Sequence, residues 1–142
     1  MRIKLTVAVV TVGLVLALKV LPLSAHHAFA SEFDAKRPVK FSGTVSKMLW
    51  VNPHAWIYVD VKKPDGSMEE WMVEAGTPNT LLRRGFTKQS LLPGTAITVD
   101  GYQSKDGSRR ANGRDLTLPD GRTLFLGSSG TGAPNEASGE KK

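Results

Sequence analysis

Three Asp-Gly turns constrain this chain more than any other feature: Pro64-Asp65-Gly66-Ser67, Lys105-Asp106-Gly107-Ser108 and Pro119-Asp120-Gly121. In the first, proline presets φ and glycine accepts a left-handed conformation, so the chain reverses direction there. Between the turns, apolar and polar residues alternate with the period of a half-buried strand. Val39, Phe41, Gly43 and Val45 alternate with Lys40, Ser42, Thr44 and Ser46 in a first strand reaching about Trp50. Gly43 within it suggests a bulge or tight bend. Ile57, Val59 and Val61 alternate with Trp56, Tyr58 and Asp60 in a second, and Met68 to Ala75 returns as the third strand of a hairpin. Parity puts Trp56 and Tyr58 on one face and the aliphatic residues on the other, without saying which face is inward. The period then changes. Thr77 caps a short helix with Pro78 at its first position and Gly85 at its end. Ile97 and Val99 mark a fourth strand, and Arg114–Leu118 and Arg122–Leu126 flank the last Asp-Gly turn as a hairpin. This order predicts a mainly β fold, a small OB-like barrel of five or six strands with a short helix between strands three and four. An open β-sandwich fits the same order.

The ends of the chain differ from its middle. Arg2 and Lys4 precede an almost unbroken apolar run from Leu5 to Leu18, and Pro22-Leu23-Ser24-Ala25 ends in small residues, the order of a signal peptide. The run is about 14 residues, short of the roughly 20 that span a bilayer core, so no membrane span is expected after cleavage. Cleavage after Ala25 leaves a compact processing region, whereas Ala28-Phe29-Ala30 offers a second match that would remove two of the three histidines. Residues 1–25 therefore read as the signal, 26–38 as an extended leader, 39–127 as the β domain, and 128–142, rich in glycine, serine and charge, as a disordered tail. At 142 residues there is room for one core. The 19 basic residues, less Arg2, Lys4 and Lys19 of the signal, stand against 13 acidic ones, a mature formal charge of +3 that argues against double-stranded nucleic acid as a partner. Cysteine is absent, so thiolate metal ligands and disulfides are excluded. The expected compartment is the periplasm.

The histidines carry the most specific chemistry. Cleavage after Ala25 would make His26 the first residue, so that its α-amine and imidazole chelate one ion, with His27 next in line and His54 in the break between strands one and two. Nitrogen donors without thiolate suit copper or zinc. The bland alternative is solvated leader and loop histidines. A second candidate surface comprises Trp50, Trp56, Tyr58 and Trp71, which fall in the first three strands where an OB barrel puts its ligand face, with Arg83 and Arg84 and the further arginines Arg109, Arg110 and Arg114. It would suit an anionic small ligand or a periplasmic protein partner. Core packing for the aromatics and solvated charge for the arginines are the ordinary roles. Nothing favours an enzyme: Glu70 and Glu74 share one strand face and Glu69 the other, and there is no phosphate loop, nucleophile elbow or cysteine nucleophile.

Ala25-His26-His27, Phe33-Asp34, Gly43-Thr44-Val45, Asn52-Pro53-His54-Ala55, Thr77-Pro78-Asn79 with Leu81-Leu82-Arg83-Arg84-Gly85, Leu92-Pro93-Gly94, Val99-Asp100-Gly101-Tyr102 and Lys105-Asp106-Gly107-Ser108 together resemble an uncharacterised family of exported bacterial proteins, a domain of unknown function. The resemblance spans about Ala25 to Gly127. It implies export and a small β domain with paired N-terminal histidines and an Asn-Pro-His-Ala segment, and it carries over no catalytic residue. Ala28 departs from the pattern, which more often has serine.

Overall fold

In a computed structural model, which describes residues 28–127 and Pro134, the Asp-Gly turns form by one shared device. Asp65, Asp106 and Asp120 each accept the backbone N–H two residues on, at 2.9, 2.9 and 3.0 Å. Gly66, Gly107 and Gly121 follow with φ of 85°, 76° and 85°. These local bonds reverse the chain at low conformational cost and set the strands they join.

The elements run α1 (Ala28–Glu32), β1 (Phe33–Leu49), β2 (Trp56–Lys62), β3 (Met68–Glu74), α2 (Pro78–Arg83), β4 (Ala96–Ser104), β5 (Arg110–Thr117) and β6 (Thr123–Phe125). The sheet order is β3-β2-β1-β4-β5-β6, and a parallel pairing of β3 with β5 closes the first five strands into a ring. β1 makes this possible by serving two neighbours: its residues up to Thr44 pair with β4, and those from Thr44 on pair with β2. A register shift between Val45 and Lys47 reverses the parity of the strand. Met48 and Trp50, rather than Lys47 and Leu49, thus pack against the core.

The interior is built from Val45, Ile57, Val59, Val73, Ile97, Val99 and Leu116 of the strands, joined by Leu81, Phe86 and Leu91 from α2 and the turns after it. Ile57 and Val59 have no exposure at all, so the aliphatic face of β2 is the inward one and Trp56 and Tyr58 look outward. Each such side chain contributes roughly 1.5–3 kcal/mol by leaving water. α2 starts as its residues require: the Thr77 hydroxyl accepts the Thr80 N–H at 3.2 Å, Pro78 occupies the first turn, and Gly85 follows the last with φ 77°.

Two expectations are corrected. The segment 26–38 is extended only in part of its described length: Ala28–Glu32 is helical, while Phe33–Pro38 is extended but already belongs to β1, with Pro38 opposite Tyr102 of β4. The cause is a small apolar cluster of Phe29, Phe33 and Tyr102, whose rings meet at 5.5–5.9 Å and tie α1 to the sheet. Gly43 is not the bulge, which lies at Val45–Lys47; Gly43 is where β1 passes close against β2, since a Cβ there would lie 2.4 Å from the Asp60 carbonyl oxygen. Residues 1–27, with the expected signal segment, His26 and His27, and residues 128–142 except Pro134, where the tail is expected, lie outside the described residues.

Candidate functional site

The loop between β1 and β2 carries His54 back to the end of β3, and backbone bonds fix it there: Ala55 N–H donates to the Gly76 carbonyl at 3.1 Å, and Ala75 N–H to the Ala55 carbonyl at 2.8 Å. Ala55 is fully buried. The His54 imidazole therefore meets the last residue of β3, with Nδ1 at 2.6 Å from Oε1 of Glu74. Glu74 lies on the outward parity of its strand, yet its side chain is only 10% exposed. The loop 51–55 and α1 cover it, and together they enclose a cavity of about 290 Å³ lined by His54, Glu74, Trp56, Asn112, Glu32 and Arg110, with Phe29 and Phe33 from the leader side.

α1 is fastened over this cavity by polar contacts as well as rings. Arg110 Nη2 donates to Glu32 Oε2 at 2.8 Å, Lys105 N–H donates to the Glu32 carbonyl at 2.9 Å, and Lys105 Nζ donates to the Ala30 carbonyl. The Arg110 guanidinium also lies 5.5 Å from the Trp56 ring centre and 5.9 Å from that of Phe33.

Electrostatics follow from burial. Loss of solvent pushes the Glu74 carboxyl up to about 7, the nearby Glu32 carboxylate adds to the rise, and Arg110 opposes it. Burial also lowers the His54 pKa below its ordinary value, against the Glu32 carboxylate, which raises it. Because folded Glu74 holds its proton to a higher pH than unfolded Glu74, its contribution to stability is complete below about 4.5 and is lost as pH rises through about 7. At 1.36 kcal/mol per unit, this loss is up to about 3 kcal/mol. His54 acts with the opposite sign, costing stability as pH falls below 6.5. Metal-free wild-type protein should therefore melt at lower temperature at pH 8 than at pH 5. Glu74→Gln removes the larger effect and leaves the smaller, so its melting temperature should stay level or rise over that range. Thermal melts in the presence of chelator check this, and a wild-type decline that persists in Glu74→Gln would refute it.

The other candidates are dispersed. Trp50 stacks on Phe86 with ring centres 6.3 Å apart, supporting the core. Tyr58 lies under Lys47, whose Nζ is 4.0 Å from the ring centre. Trp71 packs on Phe41 at 4.6 Å and donates its indole N–H to Glu69 at 2.8 Å. Arg83 Nε reaches the Asn79 carbonyl of its own helix. Arg84 Nη1 donates to the carbonyls of Phe125 and Gly127, clamping the chain after β6. Arg109 pairs with Glu69 and Arg114 with Asp115. Of the nine aromatic and arginine candidates, only Trp56 and Arg110 share the cavity with His54. Among the described residues, no group of three or more His, Cys, Asp or Glu is arranged to hold a metal ion. Sequence reasoning passed over Glu32 and Asn112, named Arg110 only as part of an anion-binding surface, and weighed Glu74 only as one of three strand carboxylates without an acid–base partner. A carboxylate set in the apolar stretch Trp71-Met72-Val73-Glu74-Ala75 was an available signal.

Among curated proteins, none matches the chain. Among solved structures, the mitochondrial single-stranded DNA binding protein Rim1 of S. cerevisiae superposes with a TM-score of 0.42 at 12% identity, covering 63% of this chain and 96% of that one. The profile of a family of unknown function, DUF6152, matches residues 14–113. That is more than half of the 142 residues, and the chain belongs to this family.

Proposed function

We propose that this is an exported periplasmic binding protein, not an enzyme, whose ring of strands is an OB-type barrel and which coordinates a copper or zinc ion through His26, His27 and His54. One observation supports the reading above others: Phe29, two residues beyond His27, lines the same cavity as His54. At about 3.3 Å per residue, the chain before α1 is long enough for His26 and His27 to reach the mouth of that cavity. Removal of the signal after Ala25 would add the α-amine of His26, giving nitrogen donors of the kind that favour copper over zinc among divalent ions.

Copper and zinc titrations of mature protein test this, with the start at His26 verified by intact mass. His26→Ala, His27→Ala and His54→Ala are each expected to weaken binding by more than about tenfold, the lower end of what even an outer-shell change costs. Affinity should fall as pH drops through roughly 6.5, because protons compete for the imidazoles. Equal affinity in wild type and all three variants rejects the site. Loss in the first two alone makes His54 an ordinary loop residue. The alternative, an anionic ligand or protein partner on the aromatic and arginine surface without metal, gains support only in the first of these outcomes.

A further inference from the structure

We infer that the surface formed by α2, the loop after it and the end of β1 with the loop to β2 is a docking face for an anionic phospholipid membrane. The inference goes beyond the metal reading and stands without it. Residues 45–55 and 75–99 contain no aspartate or glutamate, whereas Lys47, Arg83, Arg84 and Lys88 fall there and all four are exposed. Of the five large apolar residues exposed among the described residues, four lie in the same two segments: Leu49, Val51, Leu82 and Leu92, each 36–59% exposed. Only Met68 lies elsewhere, beside the first Asp-Gly turn.

The fold joins the two segments into one surface. Val45 N–H donates to the Thr95 carbonyl at 2.9 Å, Gly94 N–H donates to the Val45 carbonyl at 2.8 Å, and Trp50 stacks on Phe86. Lys47, Met48, Lys88 and Leu92 line one groove there. Core formation accounts for Leu81 and Leu91, which are buried, but not for their sequence neighbours Leu82 and Leu92. A single exposed leucine is ordinary; four exposed aliphatic residues gathered on a basic surface free of acids call for an occupant.

Chemistry selects a membrane as that occupant. Protein interfaces are depleted of lysine and anchored by aromatic residues, methionine and arginine. Aliphatic tips among lysines and arginines, whose stems can lie along apolar surface, instead suit the boundary between acidic head groups and acyl chains. Carboxylates reach only the margin of the face: Glu70 accepts the Ser46 hydroxyl at 3.3 Å, and Glu74 is turned to His54.

The experiment is co-sedimentation of metal-free mature protein with vesicles of phosphatidylglycerol and phosphatidylcholine, and with vesicles of phosphatidylcholine alone. Binding is expected to the anionic vesicles and should weaken sharply at about 1 M salt, where the screening length is roughly 3 Å. Each basic side chain near the surface is worth about fivefold, so Lys47→Gln/Arg83→Gln/Lys88→Gln should weaken binding by about a hundredfold. Leu82→Gln/Leu92→Gln should weaken it by about tenfold or more. Lys36→Gln/Met68→Gln, which changes an exposed basic and an exposed apolar residue outside the face, should bind as wild type does. All these side chains are exposed, so melting temperatures should stay near that of wild type. Because the chain has no cysteine, Leu92→Cys and Met68→Cys each give one site for an environment-sensitive dye, and only the dye at position 92 should shift its emission to the blue on anionic vesicles. Failure to bind anionic vesicles, equal binding by all variants, or the same dye shift at both positions would overturn the inference. Retention on polyglutamate without binding to vesicles would overturn it too, and would give the face to an acidic protein.

Discussion

Gly101→Ala is expected to lower the melting temperature by roughly 12 °C or more, the equivalent of about 3 kcal/mol in a domain of this size. Gly101 of β4 lies opposite Gly113 of β5, beside the register shift that follows Asp100. A Cβ at Gly101 would lie 2.2 Å from the Asn112 carbonyl oxygen and 3.3 Å from the Gly113 Cα. These are backbone atoms, so no rotamer change relieves the clash and the two strands must separate. Separation would also disturb Asn112, which pairs with Glu74 in the parallel contact that closes the ring. Gly66→Ala is the informative contrast. It demands a left-handed alanine in open space and should cost only about 1–2 kcal/mol. Thermal melts of the two variants side by side decide the matter, and a Gly101→Ala loss no larger than that of Gly66→Ala would show that β4 and β5 can yield.

The second large effect is expected beyond the last strand. Leu126 has no exposure, donates its N–H to the Arg114 carbonyl at 2.8 Å and accepts from Gly76 N–H at 2.6 Å. It is therefore part of the core cluster although it follows β6. Leu126→Ala should destabilise by about 2–5 kcal/mol, the cost of deleting buried methyl groups and leaving a cavity. Ending the chain after Gly127, by contrast, should leave the melting temperature nearly unchanged, because the composition beyond it offers no apolar face to bury. Denaturant titration of both forms separates the two. A truncation that costs as much as Leu126→Ala would mean that the tail packs on the ring.

The parts of this protein legible in its sequence are those written in short separations. The Asp-Gly turns could be read because the aspartate that caps each one lies two residues from the N–H it accepts. The α2 start could be read because Thr77 and Thr80 are three apart. The alternation of β2 showed two faces, but period two is symmetric and cannot rank them. Closure of the ring, through β3 and β5, decided that Ile57 and Val59 go inside and Trp56 outside. At the site, the imidazole of His54 stood out by residue type alone, whereas Glu74 looked like one of several strand carboxylates. It is buried against His54 of the β1–β2 loop and lines one cavity with Phe29 and Glu32 of α1, which is held by Arg110 on Glu32 across 78 residues and by Phe29 on Tyr102. Parity placed Glu74 on an outer face, and only the chain folded back over that face made it a buried partner for His54. Local bonding determined the turns and strands, while contacts between distant segments determined which polar groups lost their water.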